Sequence, residues 1–452
     1  MDFLQYFTRH IVAPAWAAWE GSPYLRHLRR LKRTQYDPPE TIVSRQLQSV
    51  REIVSHAYET VPYYRRLFDE CGMQPNEVRS FDDFRRIPLL TKQAIREAGD
   101  TLLSNHYPKA ALHGKKTSGS TGVPLHIWVD DAAMQFKRGC TLRSDEWSGW
   151  RFGRRVAKVW GNPEYRKFGW RGRLRNVLLD RSVYLDTLCM DEAALNEFAG
   201  QLRRSPPSLL FGHAHSLYLF AQFVASRRIN EIRPDGIIAT AMVLHDWQRR
   251  AIEDVFACKV TNRYGCEEVS LIASECEVHN GLHVNADGVF VEILANHRPA
   301  PAGEPGTIVV TDLVNRAMPL IRYKVGDVAA AATRLCPCGR GLPLLERLEG
   351  RESDYVTTEF GELVSGISLT ENFALHVPGV AQMQIVQEAI TQFRFRIVAG
   401  SEFGPASHDR LRSLVRERFG PNTRYEVEFV AEIPQEPSGK YRFCISHVPA
   451  AI

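Results

Sequence analysis

Between residues 156 and 256 short apolar runs alternate with longer amphipathic stretches, and this alternation constrains the fold more than any other feature of the chain. The runs at 156–160, 208–211 and 236–239 have the length and apolar content of buried strands. The stretches at 192–202, 217–227 and 247–255 space their apolar residues as helices do. Strand following helix in this order predicts an α/β domain with mainly parallel sheets, because parallel neighbours need a long crossover that a helix supplies.

The flanks differ. Residues 40–105 read as helices separated by short turns, with Ile42, Leu47, Val50, Ile53 and Val54 at helical spacing and a break at Pro62. From about Lys109 the texture becomes β-rich with Gly and Pro turns. Near Gly350 it changes again: strand-like 383–386 and 392–398, helical 409–419 and strand-like 425–431 make a small α+β unit of ferredoxin-like type. With 452 residues the chain exceeds one ordinary hydrophobic core. The expected plan is a large N-terminal domain over 1–349 that binds the small molecules, and a small mobile cap over 350–452.

Composition removes several classes of function. No stretch approaches the roughly 18–20 apolar residues of a membrane helix. The amphipathic N-terminus, with Arg9 and His10, lacks the layout of a signal peptide, so a cytoplasmic protein with no membrane span is expected. The net charge is +5, with basic residues gathered at 26–33 and 137–175. These runs read as solvated helix faces, or as a rim that attracts an anionic nucleotide or CoA. No nucleic-acid module is recognisable. Nine scattered cysteines do not form a disulfide framework. The oligomeric state is left open between monomer and homodimer.

Five short motifs stand in order along the chain. Lys116-Thr117-Ser118-Gly119-Ser120-Thr121-Gly122-Val123-Pro124 alternates hydroxyls with glycines, which lets backbone and side-chain donors approach phosphate oxygens closely. It is not a Walker A loop, since position 109 is lysine where glycine is required. Tyr264-Gly265-Cys266-Glu267-Glu268 offers an aromatic face for a purine and a carboxylate for Mg²⁺. Residues 306–327 read as two strands around a polar turn and close on Arg322-Tyr323 and Gly326-Asp327, where Asp327 could accept from a ribose diol. Gly350-Arg351-Glu352-Ser353-Asp354 marks the boundary, and Pro437-Ser438-Gly439-Lys440 places a lysine after a tight turn. Taken singly, each could be ordinary turn chemistry.

In this order and spacing the motifs resemble the adenylate-forming superfamily, most nearly phenylacetate–CoA ligases and their capsule-biosynthesis-associated relatives. The phrase from Ala57 to Arg65, A-Y-E-T-V-P-Y-Y-R, is similar to that branch, as is Ser80-Phe81-Asp82-Asp83-Phe84 leading to Ile87-Pro88-Leu89-Leu90-Thr91-Lys92. The resemblance runs from about residue 40 to about 445. It implies activation of a carboxylic acid with ATP to an acyl-adenylate, then thioester formation with CoA. It also implies roles: 117–122 at the β- and γ-phosphates, with Thr117 among the catalytic residues; Tyr264 and Gly265 at adenine; Glu268 on Mg²⁺; Asp327 on the ribose with Arg351 assisting; Lys440 bridging the acid and the α-phosphate. The pivot of the small domain falls near Ser353 and Asp354. Ser353 stands where relatives have Asp or Lys, and Glu267 where they have Thr or Ser. The acid pocket is expected from 160–163, 211–216 and 239–242, suited to an aryl or small organic acid. Transfer to an amine or a carrier protein, and a degenerate nucleotide-binding scaffold, are the other readings.

A second constellation is Cys276, His283, Cys336 and Cys338. Three thiolates and an imidazole make a closed tetrahedral set suited to structural Zn²⁺, and similar sets occur in relatives of the same branch. His279 is an alternative to His283, and unligated thiols are the other reading.

Overall fold

The structure is a computed structural model that describes residues 3–448 except 117–124, 161–168, 188–189, 352–354, 360–362, 366–368, 370–372, 374–375, 435–441 and 443. The chain opens with helical segments: α1 (Phe3–Phe7), a π-helical turn at Thr8–Val12, α2 (Ala13–Trp19) and α3 (Tyr24–Thr34). The helices α4 (Pro39–Thr60), α5 (Pro62–Glu70), α6 (Phe81–Arg85) and α7 (Lys92–Ala98) follow. Proline begins both α4 and α5, where its missing N–H is not needed. Ser80 and Thr91 cap α6 and α7 by accepting from the backbone N–H of Asp83 and Ala94. On α4 the side chains of Ile42, Gln46, Val50, Ile53, Val54 and Ala57 are buried at helical spacing, as expected.

Strands β1 (His113–Lys116) and β2 (His126–Val129) then pair antiparallel, with residues 117–125 as the connecting stretch of sequence. After α8 (Asp131–Trp147) come β3 (Val156–Val159), α9 (Trp170–Arg175), β4 (Ser182–Leu185), α10 (Glu192–Arg204), β5 (Leu209–His213), α11 (Ala214–Ser226), β6 (Gly236–Thr240), α12 (Asp246–Phe256) and β7 (Val260–Cys266). Of these, β3, β5, β6, α10, α11 and α12 match the stretches read from sequence to within a few residues, whereas α8, α9 and β4 were not read there. A run of antiparallel strands follows: β8 (Ser270–Glu275), β9 (Leu282–Val284), β10 (Val289–Ala295), β11 (Arg298–Pro299), β12 (Pro305–Asp312), β13 (Tyr323–Ala331) and β14 (Leu344–Arg351).

Strands β3 to β14 make one twelve-stranded sheet in the order 11-10-12-13-14-9-8-7-6-5-3-4. The α/β class holds, and the sheet is mixed. The order 4-3-5-6-7 is parallel throughout, whereas every pairing from β7–β8 onward is antiparallel. The reason is connection length: α10, α11 and α12 supply crossovers between the parallel strands, while β8 to β14 are joined without helices and can only turn back. Seen from β3, the chain first moves outward to β4 and then to β5 on the other side. The space outside the C-terminal ends of β3 and β5 is therefore a topological switch point, the place where open α/β sheets form a crevice.

Beyond β14 lie the pair β15 (Tyr355–Thr357) and β16 (Leu363–Ser365) and a four-stranded sheet of β17 (Val380–Ala389), β18 (Gln392–Ala399), β19 (Arg424–Phe429) and β20 (Cys444–Ser446), in the order 19-18-17-20, with α13 (Pro405–Phe419) between β18 and β19. This sheet is α+β as expected. Leu369, Phe373 and His376, ahead of β17, are also helical, and β17 and β18 form a hairpin that α13 and β19 follow. Its core is its own: Phe373, Phe393, Phe395 and Phe419 stack on one another under Leu411 and Val415.

One sequence reading changes here. Part of the basic run at 137–175 is neither a solvated face nor a rim, since Lys137 is buried against Asp312 at 2.5 Å and Arg143 against Asp287 at 2.7 Å. Two buried cations on α8 tether it to the antiparallel half of the sheet, and removing either carboxylate would strand a charge at several kcal/mol (roughly 3–5).

Candidate active site

Strand β7 ends in a tight turn, and that turn builds the site. Its pairing with β8 shifts register between Tyr264 and Gly265, a bulge of the kind that re-aims side chains at strand ends. At Gly265 the fit is exacting: a Cβ would lie 2.4 Å from the carbonyl oxygen of Ser270. Ser270 in turn has φ +70°, a left-handed conformation a serine rarely adopts. The backbone thus folds sharply over residues 267–269 and presents Glu268 inward, 5% exposed, while Glu267 points to solvent. Gly265→Ala is expected to destabilise the chain by about 2 kcal/mol or more and to weaken any activity of the site, because two backbone segments must separate. Thermal unfolding of the variant checks this, and an unchanged midpoint would contradict it.

Around the turn the polar atoms interlock. The Tyr264 hydroxyl donates to Asp327 Oδ2 at 2.7 Å, and the Tyr323 hydroxyl donates to Glu268 Oε1 at 2.7 Å. Burial, with the charges of Asp327 and Glu268 nearby, holds both phenols well above their ordinary range, so they stay protonated donors. Asp327 lies within β13, which continues to Ala331, and pairs across the ladder with Arg351 of β14. Tyr264 and Glu268 of one motif and Asp327 of another therefore share one place. The ring of Tyr264 remains partly exposed.

The hairpin β1–β2 reaches the same turn. Lys115 Nζ donates to Ser270 Oγ at 3.0 Å, two residues after Glu268. Desolvation, and then the neighbouring Lys137, lower the Lys115 pKa. Sequence reasoning gave Lys115 and Tyr323 no role. Tyr323 was legible only as part of R-Y-x-x-G-D, and Lys115 only as a false echo of a Walker lysine. Thr117, Ser118, Gly119, Ser120, Thr121, Gly122, Ser353, Asp354 and Lys440 lie outside the described residues, as does the side chain of Arg351.

At the switch point the ends of β3 and β5 bring aromatic rings together. Trp160 stacks on Phe211 with centroids 5.4 Å apart and lies 4.1 Å from the ring of His213. Behind them His215 Nδ1 meets Gln248 Nε2 at 3.0 Å, and burial, then His245, push the His215 pKa down to about 3. Ala241, just beyond β6, has φ +65°. Of the segments expected to form the acid pocket, 211–216 includes the rings beside Trp160, Ala239 and Thr240 pair with Gly212 and His213 on the next strand, and 161–163 lie outside the described residues.

The second constellation also assembles. The ligand atoms of Cys276, His283, Cys336 and Cys338 all lie within 4.8 Å of one another. Cys276 Sγ is 3.7 Å from Cys336 Sγ, and Cys338 Sγ is 3.3 Å from His283 Nε2. Tetrahedral Zn–S bonds of about 2.3 Å put sulfurs about 3.8 Å apart, so the spacing fits an ion at the centre and does not fit a disulfide. His283 Nδ1 faces the Leu342 carbonyl at 3.4 Å, the orientation that turns Nε2 toward the thiols. Burial lowers the His283 pKa to about 4, which keeps its ring neutral. His279, the alternative, sits outside the group with its ring against Glu275 at 3.4 Å.

The fold is that of adenylate-forming CoA ligases of known structure, as comparison with known proteins shows. Residues 356–447 match the family model of the CapK C-terminal domain. The chain is 24% identical over 413 residues to the protein CapK of Staphylococcus aureus, covering 89% of each. It is 26% identical to the phenylacetate–coenzyme A ligase of Thermus thermophilus, over 70% of this chain and 72% of that one. A crystal structure of 2-hydroxyisobutyryl-CoA ligase in the postadenylation state superposes with TM-score 0.74 at 21% identity, covering 92% of this chain and 91% of that one. The same ligase in its thioesterification state gives 0.61. The kinship read from the motifs is thereby shown: this chain has the adenylate-forming fold, a CapK-type C-terminal domain, and relatives among CapK and the phenylacetate–CoA ligases. Among the described residues no helix is long and apolar enough to cross a membrane.

Proposed function

We propose that this chain is an AMP-forming acid–CoA ligase of the cytoplasm, which activates an aryl or small organic acid to its acyl-AMP and then transfers the acyl group to the thiol of CoA. The observation that carries this reading is the convergence of Tyr264, Glu268 and Asp327 on one turn beside the hairpin of residues 113–129. In it, Tyr264 stacks on adenine while its hydroxyl fixes Asp327 to receive the ribose hydroxyls, with Arg351 assisting. Residues 117–122 bind the β- and γ-phosphates, with Lys115 holding the base of their hairpin against the turn.

In the first half-reaction a carboxylate oxygen bonds to the α-phosphorus and the bond to the bridging oxygen breaks, releasing pyrophosphate. Two anions must meet, so positive charge has to be in place before they do. Glu268 fits a hard cation, being a carboxylate held by a tyrosine hydroxyl in a largely buried turn. Mg²⁺ bound there would supply charge neutralisation at the phosphates. Lys440 bridges the acid and the α-phosphate. In the second half-reaction the CoA sulfur bonds to the acyl carbon, AMP leaves, and the thiol proton passes to solvent. We place residues 1–349 as the domain that binds ATP and acid and 350–452 as the cap that brings Lys440, pivoting near Ser353 and Asp354. The rings of Trp160, Phe211 and His213 at the switch point suit a flat or compact acid. Cys276, His283, Cys336 and Cys338 hold a structural Zn²⁺, closed to substrate.

A pyrophosphate-release assay with ATP and Mg²⁺ across aryl, aliphatic and amino acids, each with and without CoA, tests the proposal. Acid-dependent release that turns over faster with CoA is the expected result. Release indifferent to CoA would reassign the acceptor to an amine or carrier protein, and silence across the panel with ATP still bound would favour a nucleotide-binding scaffold.

A further inference from the structure

Two helical segments that take no part in the site expose an apolar surface. On α1 and the turn after it, Leu4, Phe7 and Ile11 face outward at helical spacing, Leu4 and Ile11 more than half exposed. On α9 and the π-helical turn Asn176–Asp180, Trp170, Leu174 and Val177 do the same, with Trp170 68% and Val177 71% exposed. Nine of the fifteen most exposed large apolar side chains among the described residues belong to these two segments and α2. Chance scatter over a surface does not concentrate them so.

The segments are neighbours. Thr8 Oγ1 donates to the Leu178 carbonyl at 3.3 Å, and Arg175 bridges to Glu20 at 3.4 Å. Their inner sides share one core, in which Trp16 and Leu179 pack with Trp150 and Phe152. With the inner sides spent on that core, the outward stripes form a single face. Its charge is one-sided: residues 3–19 and 170–179 contain four arginines and His10 and no acidic residue. The two acids at its margin, Glu20 and Asp180, are both held by Arg175.

We propose that this face seats the chain on an anionic lipid bilayer, the two segments lying in the headgroup plane. Tryptophan and aliphatic side chains among arginines suit the boundary between acyl chains and headgroups. The basic residues Arg9 and Arg173 supply attraction to anionic lipid. The segments lie on the membrane without crossing it, since no described helix has the length or apolarity to span. A second copy of the chain is the poorer occupant: a twofold interface opposes the patch to itself and would bring its unrelieved arginines together.

The test uses the full chain with vesicles of phosphatidylcholine alone, or mixed in equal parts with phosphatidylglycerol. Co-sedimentation is expected with the mixed vesicles, is weak with phosphatidylcholine, and fades as salt rises. The double variant Ile11→Asp/Val177→Asp should lose at least about tenfold in bound fraction, with its thermal midpoint unchanged because both positions are exposed. No binding to the mixed vesicles at low salt would overturn the proposal, as would a double variant that binds like the parent. A dimer of the parent chain that the double variant dissolves, without vesicle binding, would assign the face to a second copy and overturn it equally.

Discussion

Lys440→Ala is expected to slow acid-dependent pyrophosphate release by about 100- to 1,000-fold while leaving ATP affinity nearly unchanged. The attacking carboxylate and the α-phosphate both carry negative charge, and their repulsion grows as they approach. A fixed ammonium between them acts mostly at that approach, so its loss appears in kcat more than in nucleotide binding. ATP keeps its other contacts in the proposed site, at Tyr264, Glu268, Asp327 and the 117–122 loop. Residue 440 lies within the span matched to the CapK C-terminal domain and follows Pro437-Ser438-Gly439 in the sequence. The measurement is pyrophosphate release at saturating ATP beside nucleotide binding by calorimetry. Unchanged release would remove Lys440 from the mechanism, and lost binding with lost release would make it a nucleotide-binding residue instead.

Cys336→Ser is expected to remove one zinc per chain and to lower the thermal midpoint by an amount on the order of 5 °C. The four proposed ligands come from distant parts of the antiparallel half: Cys276 follows β8, His283 is in β9, and Cys336 and Cys338 precede β14. The surrounding core is small, with Ile42, Trp147, Leu342 and Leu344 as its main apolar members, so an ion joining these strands would replace packing that the sequence does not provide. Arg340, beside Cys338, also reaches Glu277 and Gln35, which links the cluster to the chain just after α3. Metal analysis of the purified chain and its melting curve with and without a chelator decide the point. A metal-free chain melting at the same temperature as the metal-loaded one would mean that the thiols are packed residues only. Because the cluster is separate from the turn at Glu268, acid-dependent release should suffer only as the fold does.

How far the sequence reached differs from element to element. The parallel half was legible where a short apolar run is followed by an amphipathic helix, as at β5 and β6, and burial on both faces writes that pattern into the residues themselves. The antiparallel half was less so: 306–327 read as two strands around a polar turn, but nothing local places them in the sheet or marks 289–295 as their neighbour. The cysteines and His283 were found by residue type alone, and the choice of His283 over His279 needed coordinates, since both are histidines a few residues after Cys276. Tyr323 was missed because a tyrosine inside a strand looks like core, and only the position of Glu268, fifty-five residues earlier, gives its hydroxyl a partner. Lys137 and Arg143 were misread as surface charge for the same reason, their carboxylate partners being more than a hundred residues away.

What the sequence by itself determined is local and chemical: the periodicities that set strands and helices, the glycines and hydroxyls before residue 125, the ordered motifs that mark an adenylate-forming chain, and the thiol and imidazole set. These follow from backbone preference and side-chain chemistry, which neighbouring residues fix. What only the tertiary structure decided is coincidence in space. It set Tyr264 against Asp327, Tyr323 against Glu268 and Lys115 against Ser270, placed Trp160 beside His213 at the switch point, and left Leu4, Ile11, Trp170 and Val177 on one outward face. Such meetings depend on strand order and on how helices cover a sheet, and chain entropy makes contacts so far apart in sequence form only when the whole core forms with them.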